Sequence, residues 1–153
     1  MFRMHSLEKQ EFEGMNMQRV LFLCTGNSAR SQMSEALLKH HGGEDFEVFS
    51  AGTKPQSEVN PIALEVLSER GIPTDELYTK LVNDFVDCKF DLVVTVCDKA
   101  KQSCPHFPRA RRMDHWPLED PAAAEGTYEE VLIVFRETRD EIERRIKELI
   151  LKS

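Results

Sequence analysis

Short runs of consecutive apolar residues alternate along the chain with segments in which apolar residues recur at helical spacing. A continuous apolar run is typical of a strand buried on both faces of a parallel sheet. Runs of this kind, rich in β-branched and aromatic residues, predict four strands at residues 20–23, 46–50, 91–96 and 111–116.

Two helices are predicted between the first three of these strands. The first carries Met33 and Leu37 on one side and stops at residues 42–43, a glycine pair that can adopt a left-handed cap. The second starts at Asn60, a favourable N-cap residue, with Pro61 at the first helical position. Each helix therefore follows one strand and precedes another.

A third and longer helix is predicted at the end of the chain. Thr127 and Glu130 have the spacing of a capping box, which marks a helix start. Apolar residues then repeat at helical spacing, namely Val131, Val134, Phe135, Ile142, Ile146, Leu149 and Ile150.

The alternation of strands and helices predicts an α/β fold, a doubly wound, four-stranded parallel sheet flanked by helices on both faces. A chain of 153 residues fits one domain. Residues 1–16 are polar and show no period, so they are predicted to be a flexible extension or an expression remnant. The single catalytic domain is then residues 17–153.

Composition narrows the classes of function. The chain is 41% hydrophobic and 31% charged, as in a globular protein, and its net charge of -7 disfavours nucleic acid and anionic membranes as partners. No apolar run approaches the roughly 20 residues of a membrane span, and the N-terminus lacks the apolar stretch of a signal peptide. We therefore expect a cytoplasmic protein.

The four cysteines are candidates for reactive thiols or metal ligands, because cytoplasmic reductants keep ordinary thiols reduced. Cys24 and Cys97 each follow a predicted strand. Ligands of open α/β sheets bind beyond the carboxyl ends of the strands. These two cysteines are therefore expected to share one crevice.

The segment after the first strand has the pattern of an anion site. Cys24 is followed by five residues and then by Arg30 at the start of a helix. Gly26 and Asn27 tolerate positive φ, so the loop can turn its N–H groups inward to bind a tetrahedral oxyanion. The predicted oxyanion-binding residues are Thr25, Gly26, Asn27, Ser28, Ala29 and Arg30.

The same positive field favours a reactive thiolate at Cys24. Arg30 can donate a bidentate pair of hydrogen bonds to the oxyanion, and Ser31 is placed to donate to the thiolate. The alternative is that Cys24 is a buried small residue and Arg30 an exposed helical one.

With these features the chain resembles the low-molecular-weight protein tyrosine phosphatase superfamily over residues 18–150. The resemblance is carried by VLFLCTGNSARSQMSEAL at residues 20–37, FSAGT at 49–53 and the Asp-Pro pair at 120–121. It implies Cys24 as nucleophile, Arg30 as oxyanion binder and Asp120 as general acid on a mobile loop. Protonation makes an oxygen a better leaving group, although Asp120 could instead form only a turn.

Within this superfamily, residues 93–108 and 114–122 resemble the thioredoxin-coupled arsenate reductases. Those enzymes need two further cysteines separated by six residues, and Cys97 and Cys104 match that spacing. Ala122 and Ala123 stand where the phosphatase branch typically has tyrosines. Both features favour a reductase.

The resemblance implies a disulfide relay. Cys24 would attack arsenate, Cys97 would attack Cys24 to release arsenite, and Cys104 would move the disulfide to Cys97–Cys104. Thioredoxin would reduce that bridge as an external reductant, with no tightly bound cofactor, and phosphate or sulfate would compete with arsenate. Glutaredoxin or a small thiol stays open as the reductant.

Other interpretations remain open. A phosphatase of the same fold, or a non-catalytic oxyanion sensor, would use the same loop without the relay. Zinc could bind Cys97, Cys104, His106 and His115, but the six-residue gap exceeds the usual ligand spacing.

No metal is assigned. Some relatives bind potassium beside the loop, and Asn27, Glu35 and Ser50 match part of that site. Cys88 is interpreted as a bystander, and His115 and Trp116 as packing residues.

Overall fold

The computed structural model describes residues 17–97 and 102–152. The prediction for residues 1–16 lies outside these residues. Four strands form one parallel sheet in the order β2-β1-β3-β4. They are β1 (Gln18–Cys24), β2 (Phe46–Gly52), β3 (Leu92–Thr95) and β4 (Met113–His115). The four-stranded parallel sheet predicted from the apolar runs is confirmed.

Three α-helices that are described over their full length accompany the sheet. They are α1 (Arg30–Gly42), α2 (Pro61–Ser68) and α3 (Tyr128–Arg145), which continues as a π-helix over Ile146–Leu151. Their predicted caps are confirmed. Asn60 accepts hydrogen bonds from the N–H groups of two residues of α2, and Thr127 forms a capping box with Glu130. Gly43 ends α1 with a φ of 58°.

β1 is buried on both faces, as its continuous apolar sequence predicts. Its alternating side chains divide between two clusters, with Val20 and Phe22 on one face of the sheet and Leu21 and Leu23 on the other. All three helices pack on the first face, where residues of α1, α2 and α3 share one core cluster with the strands.

The second face of the sheet carries the other core cluster. Among the described residues, a 3-10 helix at Val82–Phe85 contributes to it. Large aromatic side chains fill much of this space. We call this group the aromatic cluster; it consists of Leu21, Leu23, Phe49, Ala51, Val82, Phe85, Cys88, Phe90, Val93 and Phe107.

The sheet register brings the carboxyl ends of three strands to one edge. Leu23 pairs with Ala51 on β2 and with Thr95 on β3. Cys24 and Cys97, which follow these positions, therefore lie at the same edge. No helix in the described part of the chain is long and apolar enough to cross a membrane.

Candidate active site

Cys24 is the last residue of β1 and is 3% exposed. Its sulfur has two polar neighbours. The N–H group of Asn27 donates to Cys24 Sγ at 3.2 Å, and Ser31 Oγ lies 2.9 Å from the same atom. Both contacts favour a negatively charged sulfur if Ser31 is the donor. Whether Ser31 is the donor depends on the other hydrogen bond of its hydroxyl group.

Asn27 directs the hydroxyl hydrogen of Ser31. Asn27 Nδ2 donates to Ser31 Oγ at 2.8 Å, so the serine oxygen acts as acceptor toward Asn27. The hydroxyl hydrogen then points to Cys24. The contact is the one expected of Ser31, and its role in stabilising a thiolate stays a prediction.

The loop curls at Asn27, which has a φ of 49°. Of the two residues expected to tolerate positive φ, Asn27 adopts it and Gly26 does not. Gly26 has a different reason to lack a side chain. A Cβ atom there would lie 3.2 Å from Gln56 Cγ, so the glycine allows the side chain of Gln56 to approach the loop.

The chain that follows β2 holds the carbonyl groups of the loop. Four backbone N–H groups donate to four loop carbonyl oxygens at 2.9 to 3.3 Å. The donor and acceptor pairs are Thr53 and Cys24, Lys54 and Thr25, Gln56 and Gly26, and Asn60 and Ser28. Since the carbonyl groups are turned toward these donors, they do not face an anion.

The N–H groups of the loop are left for a ligand. Within residues 17–97 and 102–152, the N–H groups of Thr25, Gly26, Ser28 and Ala29 donate to no protein acceptor. They precede the N-terminus of α1, where the helix dipole adds positive potential. The loop can therefore bind an anion, and a tetrahedral oxyanion suits several inward donors.

Gly52 at the end of β2 makes this close arrangement possible. A Cβ atom there would lie 2.6 Å from the carbonyl oxygen of Thr25 and 3.0 Å from the Asn27 nitrogen. Gly52 stands within the FSAGT segment, but no role was predicted for it. The signal in the sequence was a glycine at the end of a buried strand.

Arg30 connects the loop to the segment that carries Asp120. Its Nη1 donates to the carbonyl oxygen of Leu118 at 2.9 Å, and its Nη2 lies 3.8 Å from Asp120 Oδ2. The other carboxylate oxygen of Asp120 accepts from the N–H group of Ala122. A guanidinium group has five donors, so Arg30 can keep these contacts and still bind an oxyanion. Asp120 is thus held beside the anion loop, and it also caps a turn, as the alternative for this residue supposed.

Cys97 lies beside the loop, as expected. It is 4% exposed, and its sulfur lies 3.5 Å from Thr25 Oγ1, on the residue that follows Cys24. The N–H group of Val96 donates to the carbonyl oxygen of Leu23 at 2.8 Å, which extends the pairing of β3 and β1 up to the two cysteines. The sequence predicted Thr25 as an anion ligand but did not predict its contact with Cys97.

Cys104 packs against the aromatic cluster, which also contains Cys88. The Cys104 thiol contacts the carbonyl oxygen of Pro105 at 3.4 Å. Burial raises the pKa of the thiols of Cys88 and Cys104, so both favour the neutral form. All four cysteines are free thiols. The redox roles of Cys97 and Cys104 stay predictions.

His115 and Trp116 have packing and hydrogen-bonding contacts, in line with their interpretation. His115 Nδ1 lies 2.8 Å from Thr95 Oγ1, and Trp116 is 1% exposed with its ring 5.7 Å from that of Phe22. In the described part of the chain, no three His, Cys, Asp or Glu side chains form a metal-binding group.

The three residues that match part of a potassium site are joined by hydrogen bonds. Asn27 Nδ2 donates to Ser50 Oγ at 3.0 Å, and Ser50 Oγ donates to Glu35 Oε1 at 2.6 Å. Lys80 Nζ lies 3.5 Å from the same carboxylate oxygen. Lys80 was not predicted as a site residue, because no local pattern marks it.

A cysteine at the end of a parallel strand, in a loop of inward N–H groups at a helix N-terminus, is typical of enzymes that attack tetrahedral oxyanions with a thiolate. The comparison with known families gives the same class. Residues 19–153 match the low molecular weight phosphotyrosine protein phosphatase family. The chain belongs to this family, so the resemblance seen in the sequence is confirmed.

Relatives within the family are named as arsenate reductases. The arsenate reductase of Halalkalibacterium halodurans is 45% identical over 133 residues, which cover 87% of this chain and 95% of that protein. A solved arsenate reductase in the phosphate binding state is 30% identical with a TM-score of 0.77, covering 89% of this chain and 98% of that one. The thioredoxin-dependent arsenate reductase of Corynebacterium glutamicum is 34% identical with a TM-score of 0.71, covering 99% and 71%.

Proposed function

We propose that this protein is an arsenate reductase that uses Cys24, Cys97 and Cys104 in sequence and is regenerated by thioredoxin. The observation that carries the proposal is the position of Cys97. Its sulfur contacts the residue next to Cys24 at the mouth of the anion loop. A phosphatase needs one thiol and one acid there, whereas a reductase needs a second thiol within reach of the first.

In the first step the Cys24 thiolate attacks the arsenic atom of arsenate held by the loop N–H groups and Arg30. A sulfur–arsenic bond forms, and one arsenate oxygen leaves as water. Asp120 supplies a proton to that oxygen, which fits its position 3.8 Å from Arg30 Nη2. Ser31 and the N–H group of Asn27 stabilise the thiolate before the attack.

In the second step Cys97 attacks the sulfur of Cys24. A Cys24–Cys97 disulfide forms, the sulfur–arsenic bond breaks, and its electron pair stays on arsenic, which leaves as arsenite. Two cysteines are oxidised and As(V) is reduced to As(III), so the electrons balance. The contact between Cys97 Sγ and Thr25 Oγ1 supports this step, because Thr25 is the residue that follows Cys24.

In the third step Cys104 attacks Cys97 and releases the Cys24 thiolate. Burial raises the pKa of Cys104, so this thiol is a poor nucleophile in the reduced conformation described above. The surroundings of Cys104 must therefore change before the exchange. The resulting Cys97–Cys104 disulfide would be reduced by the dithiol of thioredoxin, and such a reductant implies a reducing compartment such as the cytoplasm.

The test is arsenite production by the reduced protein with thioredoxin, thioredoxin reductase and NADPH. We expect sustained turnover in the wild type and at most one arsenite per molecule in Cys104→Ser, which cannot pass the disulfide on. Cys88→Ala is the matched control, since Cys88 lies in the same aromatic cluster but has no place in the relay.

Other outcomes would contradict the proposal. Full hydrolysis of an aryl phosphate by Cys97→Ser and Cys104→Ser, with no arsenite from the wild type, would favour a phosphatase. Phosphate binding without turnover of either substrate would favour an oxyanion sensor. The wild type could also produce arsenite with a small thiol but not with thioredoxin. That result would support the reductase activity and contradict thioredoxin as the reductant.

A further inference from the structure

Glu35 carries a buried carboxylate directly behind the anion loop. Its side chain is 4% exposed, and a buried carboxylate needs an opposite charge and hydrogen bonds to stay ionised. Two lysines contact it. Lys39 Nζ lies 2.6 Å from Oε2 with its side chain 40% exposed, whereas Lys80 Nζ lies 3.5 Å from Oε1 with its side chain 9% exposed.

Lys80 contacts Glu35 Oε1. A chain of hydrogen bonds, each with a defined donor and acceptor, runs from this oxygen to Cys24. Ser50 uses its hydroxyl hydrogen on Glu35 Oε1, so its oxygen accepts from Asn27 Nδ2. The second amide hydrogen of Asn27 goes to Ser31, which then directs its own hydrogen to Cys24 Sγ. Because Glu35 Oε1 accepts from Ser50, the carboxylate sets the orientation of both hydroxyl groups in the chain.

The orientation of the Asn27 amide is unambiguous. The backbone N–H group of Lys80, which can only donate, lies 2.8 Å from Asn27 Oδ1. Gln32 Nε2 donates to the same oxygen at 3.0 Å. Nδ2 must therefore face the two serine hydroxyl groups, and the chain runs in one direction.

The ammonium group of Lys80 is held in place by Tyr78. It donates to the carbonyl oxygen of Tyr78 and lies 4.2 Å from the centroid of the Tyr78 ring. Gln32 Nε2 donates to that same carbonyl oxygen at 2.8 Å. The segment at residues 78–80 is therefore attached both to Glu35 and to the anion loop.

A potassium ion does not fit beside these residues. Glu35 Oε1 already contacts the Lys80 ammonium group and the Ser50 hydroxyl hydrogen. A second cation at this oxygen would be repelled by Lys80 at short range. The other charged groups that line the adjoining cavity of about 470 Å³ are Lys39, Asp75 and Glu76.

We propose that Lys80 is a positioning residue whose ammonium group, in the place of a metal cation, holds the Glu35 carboxylate and so keeps the hydrogen-bond chain directed at Cys24. The inference deepens the proposed function and rests on it only for the identity of the substrate. The reactivity of Cys24 can be measured without arsenate, so the role of Lys80 and the proposed function can fail separately.

The experiment compares Lys80→Met with Lys39→Met, which removes the exposed lysine on the other oxygen of the same carboxylate. The readout is the rate of Cys24 alkylation by iodoacetamide as a function of pH, followed by mass spectrometry. We expect Lys80→Met to slow alkylation at neutral pH by about tenfold and to move the midpoint of the pH dependence upward. Lys39→Met should change the rate by less than about twofold, as expected for an exposed ion pair.

Rescue separates a positioning role from a structural one. Lys80→Arg keeps a cation and should recover most of the rate, and methylammonium chloride should partly restore Lys80→Met but not Lys39→Met. Groups that face Cys24 and its neighbours, namely Arg30, Asp120 and Cys97, are unchanged in all three variants. Equal alkylation by folded Lys80→Met and Lys39→Met would overturn the proposal.

The wild type gives a second test that needs no variant. Replacing potassium by choline at constant ionic strength should leave the alkylation rate and the arsenite yield unchanged, and a loss of rate without potassium would overturn the proposal. If the wild type reduces no arsenate while Lys80→Met still slows alkylation, the role of Lys80 stands and the proposed function fails.

Discussion

The loop at residues 24–31 and the segment at residues 97–110 carry the thiols of the proposed relay, but the protein holds them in different ways. In the loop, hydrogen bonds from the chain after β2 orient the carbonyl groups, and two donors face the sulfur of Cys24. Cys104 contacts the carbonyl group of its own neighbour and packs on aromatic side chains.

The difference separates a thiol that is held between oriented hydrogen-bond donors from one that is held mainly by apolar packing. Cys24 has an oriented donor on each side, whereas burial raises the pKa of Cys104. Directional hydrogen bonds keep a group in one geometry, while apolar packing is less directional and can be opened and reformed. The loop is suited to binding, and the packing of Cys104 is suited to rearrangement.

The largest effect is expected at the centre of the loop. Cys24→Ser should lower arsenite formation by about a thousandfold or more, because a serine hydroxyl is not ionised at neutral pH. Single-turnover arsenite yield measures this loss. Phosphate binding, followed by calorimetry, should persist, since the loop N–H groups and Arg30 are unchanged; a variant that binds no phosphate would mean that the loop itself had collapsed.

The next largest effect is expected at the acid that Arg30 holds beside the loop. Asp120→Asn should lower kcat for arsenate by about a hundredfold, because the amide cannot protonate the leaving oxygen. Glu119→Gln, a neutralised carboxylate on the preceding residue, is the matched control and should keep most of the rate. Equal losses in the two variants would assign the effect to charge in this segment instead of to proton transfer.

The donor to the Cys24 sulfur should have a smaller effect. Ser31→Ala removes one hydrogen bond to the thiolate and should slow Cys24 alkylation at neutral pH by more than about tenfold. The midpoint of its pH dependence should move to higher pH. Ser34→Ala, which removes a buried hydroxyl group from the same helix, should leave both unchanged. A shift in both variants would contradict a specific role for Ser31.

The smallest effect is expected at the aromatic cluster. Phe107→Leu loosens the packing around Cys104, so its raised pKa should fall toward the ordinary value. A lower pKa gives more thiolate at neutral pH, and a shift of half a unit would speed Cys104 alkylation by about threefold. Ile142→Val in the first core cluster is the control for general loss of packing. Equal acceleration by both variants would show that global opening exposes Cys104.

Local patterns in the sequence predicted most of the fold. The apolar runs gave the four strands to within three residues at either end, and the caps at Asn60 and Thr127 marked the starts of two helices. These features depend on neighbours in the chain, so the sequence contains them directly. The loop from Cys24 to Arg30 was also visible, because strand, glycine and helix follow one another.

The contacts behind the loop could not be predicted in the same way. Lys80 reaches Asn27 across 53 positions, and Cys97 reaches Thr25 across 72. Nothing in the sequence near Lys80 distinguishes it from a solvent-exposed lysine. The aromatic cover of the second face was missed for the same reason, since Phe49, Phe90 and Phe107 come from separate segments.

The donors that line the loop have a consequence for selectivity. Backbone N–H groups recognise negative charge and tetrahedral shape, and phosphate has both in nearly the same size as arsenate. Binding alone therefore discriminates poorly between them. On the proposed function, discrimination comes after binding, because Cys97 can drive two electrons onto As(V) but not onto phosphorus. Cellular phosphate then acts as a reversible competitor that slows the enzyme without consuming its thiols.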